Sequence, residues 1–395
     1  MRPDARNKPY GKNLMAAATT CRQAGRIVLC LLAVALLLSG CRTSAVRPTG
    51  SAYVKASWSD LPIVSDADLV AGFRTWRAGC TKLRDNAAWR EPCVSAAQAA
   101  ATPASIRAFL ETHFDIYALD AGDTRDGLIT GYYEPVYAGS LARTAQAKVP
   151  VYAPPEDLIT VALDGLYPQL KGLRLRGRVV GRKLVPYDNA ATIDKNGARA
   201  PVLAWLTDPM DLQFLQIQGS GRVQLSDGRQ LRLGYADQNG QPYRAIGKWL
   251  VEQNELPAGS VSMQSIRTWA RAHPQRVAEL LASNPSYVFF HRLPDNNEGP
   301  IGSFGLPLTA GYSVAVDRKV IPLGSLLWLS SSTPDGKPLV RPVAAQDTGG
   351  AIAGKVRADL FTGTGSEAGE WAGRMQQQGR LWLLWPHGQA LPAAQ

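Results

Sequence analysis

Three aspartates near the C-terminal end stand where an acid is either out of place or poised at a turn. Asp317 ends the apolar run Ser313-Val314-Ala315-Val316. Asp347 lies in Gln346-Asp347-Thr348-Gly349-Gly350-Ala351-Ile352, a strand pattern running into a glycine turn. Asp359 lies inside Arg357-Ala358-Asp359-Leu360-Phe361, a short strand pattern with apolar neighbours. Propensity and desolvation both disfavour an acid within an apolar strand. Burial also lifts a carboxyl pKa toward neutrality, as a general acid at a glycosidic oxygen requires. Asp317 and Asp347 have a plainer alternative, because an Asp before a turn caps backbone amides. A structural role for Asp359 stands as the alternative to an acid role.

Other chemistries find few residues. There is no Gly-x-Ser-x-Gly elbow, and no free mature cysteine beside a histidine. Gly-rich phosphate fingerprints are absent. Gly219-Ser220-Gly221 falls between two strand patterns, where a hairpin or a close ligand approach are both possible. His113, His273, His291 and His387 lack metal-ligand spacing, so neither metal nor cofactor is expected. Gly131-Tyr132-Tyr133-Glu134-Pro135 and the ten Trp offer flat faces for sugar rings, although most Trp serve cores.

The elements that must position these residues follow from pattern. Basic residues up to Arg22 and Arg26 precede the uncharged run Ile27–Leu38, too short to span a bilayer that needs about 20 residues. Leu38-Ser39-Gly40-Cys41 resembles the bacterial lipoprotein box, so residues 1–40 read as an export signal and Cys41 as the lipidated residue. An ordinary signal with a chance cysteine is the alternative. No acid follows Cys41, which favours the outer membrane, with the protein facing the periplasm. Residues 41–58 read as a flexible tether.

Net charge is +11, and residues 1–40 hold six Lys/Arg against one acid, leaving about +6 on the mature chain. That suits an anionic partner such as a cell-wall polymer or acidic lipid, and export argues against nucleic acid. Cys80 and Cys93 remain as an even pair, a disulfide or two buried thiols.

Ser65 is positioned to cap a helix presenting Leu69, Phe73, Trp76, Cys80 and Leu83 on one face. A second helix starts near Pro103. From 128 to about 235 short strand patterns dominate: 149–152, 173–180, 201–205, 214–218 and 222–225. Helical texture returns at 243–282. Strand patterns then run over 287–290, 313–316, 325–329, 340–345, 358–361 and 381–385, with a helix at 366–375. The expected class is mainly β with α-helical flanks, one domain split around another. The divisions are 59–127, 128–240 and 241–395, with the three aspartates in about 300–390.

Six segments then carry a resemblance. They are Gly131–Pro135, Gln216-Ile217-Gln218-Gly219-Ser220-Gly221, Asn284–Phe290, Pro307 through Asp317, Ile321-Pro322-Leu323-Gly324, and the Asp347 and Asp359 stretches. In that order they resemble the membrane-bound lytic murein transglycosylase A family, over roughly 125–390. The last part resembles its three-aspartate domain. Arg357 departs from the pattern, since some relatives show His there.

The resemblance implies a double-psi β-barrel with a second β-barrel inserted, and a glycan groove between them. It implies cleavage of the β-1,4 bond between N-acetylmuramic acid and N-acetylglucosamine of peptidoglycan without water, leaving 1,6-anhydro ends. Asp359 would be the lone acid/base, Asp347 its support, and Asp317 a holder of barrel geometry. Thr309, Ala310 and Gly311 would approach the acid. Gln218, Gly219, Ser220 and Gly221, with Tyr132, Tyr133 and Glu134, would line the other wall. Cell-wall synthesis enzymes or scaffolds are partners by analogy. Two rivals stand beside it: a non-catalytic peptidoglycan-binding lipoprotein, and a hydrolase using a second carboxylate such as Glu134.

Overall fold

The computed structural model describes residues 52–122, 124–170, 173–296 and 298–392. The signal segment, Cys41 and the tether as far as residue 51 lie outside the described residues. The remainder of the expected tether is structured. Tyr53–Ala56 is a strand paired antiparallel with Phe114–Leu119, and Tyr53 is buried. Tyr and Val are strand formers, and a reading by small-residue composition passed over them.

The N-terminal helices pack on strands of the main sheet through aromatics. Ser65 caps the helix Asp66–Ala78, its hydroxyl accepting from the Asp68 amide at 3.1 Å. Thr102 caps Pro103–His113, with Pro at its first turn. Leu69, Phe73 and Trp76 are buried on one face of the first helix. Trp76 meets Phe114 edge-on at 5.5 Å, and Trp89 meets Trp385 at 5.4 Å. Such pairs add about 0.5–1.5 kcal/mol beyond burial. Cys80 and Cys93 form a disulfide with Cα atoms 5.2 Å apart, tying the short helix Cys80–Leu83 to Arg90–Gln98.

Eight strands form the main sheet, and six of them close into a ring. Around the ring run Leu326–Ser332, Pro338–Asp347, Ser313–Val316, Arg357–Thr364, Gly127–Glu134 and Gln376–Pro386, which returns to Leu326–Ser332. Two neighbouring pairs are parallel: Ser313–Val316 with Pro338–Asp347, and Arg357–Thr364 with Gly127–Glu134. The other four are antiparallel. Closure leaves the ring no free edge. Val314, Leu326, Val343, Leu360 and Leu383 lie in its core.

The chain leaves this ring at Glu134 and enters a second, six-stranded sheet at Val136. That sheet orders Val288–Arg292, Gln230–Gln238, Ser220–Gln224, Val136–Ser140, Val202–Leu206 and Val149–Tyr152. Its core includes Val151, Leu206, Phe214, Leu233 and Phe289. Ile246, Leu250, Ile266, Trp269 and Leu280 from the later helices join the same core. The expected division at 240 is therefore not a break in packing: the second core runs on to the strand ending at Arg292. A small sheet of Ile159–Thr160, Arg176–Val180 and Lys183–Pro186 completes the β structure.

One expected strand is a helix. Residues 214–218 belong to Pro209–Gln218, capped by Asp208, whose carboxylate accepts from the Met210 amide at 2.8 Å. Pro209 sits where its missing N–H costs nothing. Gly219 ends the helix in the left-handed region at φ 75°.

Candidate active site

Asp359 points from the strand Arg357–Thr364 and is partly buried. Its register partner on the parallel strand is Thr130, and on the antiparallel strand Ala315. The Thr130 hydroxyl donates to Asp359 Oδ1 at 2.6 Å. Desolvation raises the Asp359 pKa from its ordinary value, and the Asp347 charge adds to that. Thr130 and the Arg357 guanidinium oppose it without cancelling it.

Ala315 also pairs with Asp347, so the two acids sit at one level, two strands apart. Neighbouring strands are about 4.8 Å apart, which sets their backbones about 10 Å from each other. Asp347 is saturated with donors. Oδ1 accepts from the Ser303 amide at 2.9 Å, the Ser303 hydroxyl at 2.8 Å and the Thr348 amide at 2.8 Å. Oδ2 accepts from the Tyr132 hydroxyl at 2.9 Å. Tyr132 also packs on Phe361, ring centroids 5.4 Å apart. Burial and the Asp347 charge push the Tyr132 pKa well up, which keeps it a donor.

Asp317 does something different. Its carboxylate accepts from the amides of Lys319 and Gly354, and its carbonyl accepts from those of Val320 and Ile321. These bonds hold a turn and the neighbouring Gly354 loop.

Thr309 and Ala310 are exposed beside the same strand. Gly311 adopts φ 79°, and its amide donates to Phe361 O at 2.7 Å. The bond draws the Thr309–Gly311 segment to the end of the strand that carries Asp359.

The second-sheet side is more divided than expected. Gln218 and Ser220 are partly exposed, and Gln218 Oε1 accepts from the Tyr133 amide at 3.3 Å. Gly219 is partly exposed too. Gly221 is buried, and a Cβ there would stand 2.5 Å from Leu215 Cδ1. It is a packing glycine rather than a wall. Tyr133 is 9% exposed, packed on Gly369, with its hydroxyl on Met263 Sδ at 3.4 Å. Glu134 is fully buried. Its Oε2 accepts from Arg222 Nε and Thr364 Oγ1, each at 2.8 Å. Tyr133 and Glu134 therefore fasten the two sheets together instead of lining a wall. They fall at the strand's end, where the chain passes between two cores and both faces are covered.

Thr130 and Ser303 went unnoticed in the sequence, since a Thr in a strand and a Ser in a loop are ordinary residues. Among the described residues no three of His, Cys, Asp or Glu gather as metal ligands.

Sequence and fold both have known relatives. The MltA specific insert domain model matches residues 128–291, and the 3D domain model matches 312–385. Membrane-bound lytic murein transglycosylase A of Escherichia coli (strain K12) is 34% identical over 279 residues, covering 68% of this chain and 69% of that protein. The chain belongs to the membrane-bound lytic murein transglycosylase A family. Membership makes it an enzyme of the lytic transglycosylase class. Solved members of the family share the fold. MltA from Neisseria gonorrhoeae superposes with a TM-score of 0.74 at 33% identity, over 88% of this chain and 97% of that one. The Agrobacterium tumefaciens enzyme gives 0.75 at 29%, over 85% and 98%. E. coli MltA, solved with bound chitohexaose, gives 0.64 at 27%, over 86% and 96%. The insert match ends one residue before the close of the Val288–Arg292 strand, in line with the extent of the second core.

Proposed function

We propose that the chain cleaves the β-1,4 bond between N-acetylmuramic acid and N-acetylglucosamine in peptidoglycan, with Asp359 as its only acid/base. The observation that carries this is the state of the three nearby carboxylates. Asp359 alone is held by a single side-chain donor and pushed toward neutrality by burial. Asp347 has four donors, and Glu134 is enclosed with Arg222 and Thr364. A hydrolase that positions water needs a second free carboxylate across the cleft. Intramolecular attack does not.

In the proposed cycle Asp359 gives its proton to the glycosidic oxygen as the C1–O bond breaks. The muramyl C6 hydroxyl attacks C1 and returns its proton to Asp359. No water is consumed, and the acid is regenerated. The attacking group is already tethered, which supplies much of the rate. Chitohexaose in the E. coli relative supports a glycan strand as the ligand.

In the same reading the six-stranded ring is a double-psi barrel, supported by its two parallel pairs. The second core, over about 128–292, is the inserted domain, with the glycan between them. Thr309, Ala310, Gln218, Gly219 and Ser220 contact sugar, while Asp347 and Tyr132 support the acid. Cys41 carries a lipid that places the enzyme on the periplasmic side of the outer membrane, for wall turnover. The names of its relatives include membrane-bound, and no helix among the described residues is long and apolar enough to cross a bilayer.

The test is mass spectrometry of products from purified peptidoglycan, with wild type and Asp359→Asn side by side. Anhydro ends from wild type and none from the variant are expected. Products heavier by one water would show a hydrolase, absence of any product a binder, and full turnover by the variant a wrong acid.

A further inference from the structure

The Arg357 side chain, on the strand of Asp359, makes three hydrogen bonds. Nη1 donates to the carbonyls of Leu128 at 3.3 Å and Ala358 at 2.6 Å. Nη2 donates to Thr130 Oγ1 at 2.8 Å. Leu128 and Thr130 lie on one strand, Arg357 and Asp359 on the other, in parallel register. Residues two apart share a face, so the guanidinium and the acid lie along one side of their strand with Thr130 bridging them.

A Thr hydroxyl has one proton and two lone pairs, while a guanidinium only donates. Thr130 Oγ1 must therefore accept from Arg357. Its single proton then goes to its remaining partner, Asp359 Oδ1, at 2.6 Å. Oδ1 is thereby cast as an acceptor. A proton placed there would face the Thr130 proton.

We propose that Arg357 and Thr130 form a positioning relay that keeps the transferable proton of Asp359 on Oδ2, the oxygen free to meet the glycosidic bond. The proposal rests on Asp359 being the acid/base. With the Arg357 donor in one of its directions, the Thr130 hydroxyl is biased to aim its proton at Asp359; without Arg357 that direction opens to the proton, and the hydroxyl turns more readily to accept from a protonated Oδ1. The proton would then be held in a side-chain bond, away from the substrate. The fork of an Arg suits this task, because it binds two carbonyls and a hydroxyl in fixed directions. Neither residue touches the sugar in this scheme; both act through Asp359.

The experiment measures kcat, KM and the pH profile of the full chain on soluble peptidoglycan strands for Thr130→Val, Thr130→Ser, Arg357→Met and the Val/Met double variant. Misplacing a reacting group costs up to about a hundredfold in rate, so Thr130→Val and Arg357→Met should each lose about ten- to a hundredfold in kcat with KM little changed. Both changes remove a contact favouring the ionised acid, so the alkaline limb of kcat should move to higher pH. Thr130→Ser should keep rate and profile. The double variant should be no worse than Thr130→Val, because one relay is broken only once.

Wild-type kcat and an unmoved limb in Arg357→Met, or losses that multiply in the double variant, would overturn the relay. If Arg357→Met does not fold, Thr130→Val carries the test: wild-type kcat and an unmoved limb there overturn the relay equally. Turnover retained by Asp359→Asn would be a failure of the acid assignment. Turnover lost there but kept in Thr130→Val and Arg357→Met would be a failure of the relay alone.

Discussion

At the residue scale, Asp359 is held in a form that costs the folded protein stability. Its folded pKa is raised by burial, so the native state binds the proton more tightly than the unfolded chain does. Well below the unfolded value of about 3.9, both states are protonated and no penalty exists. As pH rises, the unfolded chain ionises first and stability falls until the folded pKa is passed. Asp359→Asn remains neutral and should therefore raise Tm at pH 7 but not near pH 3. Calorimetry at both values decides, and an equal difference at both would rule out the burial account.

The three aspartates were legible in the sequence because each sits in a context that an acid enters only for a reason. Thr130 was not legible. Its meaning depends on a partner 229 positions later, brought opposite by a parallel register that no local pattern encodes.

At the element scale, the strand Gly127–Glu134 and the helix Ser366–Arg374 approach closely because residue 131 has no side chain. A Cβ there would stand 2.9 Å from Ala372 Cα and 3.1 Å from Thr362 Cγ2. The first of these is backbone, and no rotamer change relieves it. Gly131→Ala should force helix and strand apart, costing about 1–3 kcal/mol. It should also depress turnover, since Thr130 and Tyr132 flank the displaced residue. Thermal melting and product release on one preparation check both.

Most strands were readable from alternation and their turn residues. The stretch 214–218 was not, because a short apolar run ending in glycine suits strand and helix alike. Asp208-Pro209 just ahead held the deciding signal: an acid that can cap, then a proline at the first helical position.

At the scale of the whole molecule, the ring and the second core are joined by a buried ion pair. Glu134 belongs to the ring, Arg222 to the second sheet, and the pair is 2.8 Å apart with 0% and 12% of the side chains exposed. Arg222→Met would leave a carboxylate enclosed without its counter-charge, at about 3–5 kcal/mol. Adding Glu134→Gln should recover most of that loss. Denaturant midpoints for the single and double variants test it, and equal destabilisation by both would mean the pair is not what holds the junction. The change of texture near 128 falls just before the chain enters the second sheet at Val136. The reach of the second core was not legible, because helices at 246–282 pack on it while their sequence is silent about which core they serve.

A single strand holds the ring shut. Its closing strand, Gln376–Pro386, pairs with strands at 114–119, 127–134 and 326–332 at once. Without it, the strand bearing Thr130 lacks one of its two neighbours within the ring. A chain cut ahead of residue 376 would thus hold all three aspartates and an open ring, so one proteolytic nick there should silence the site without touching an acid.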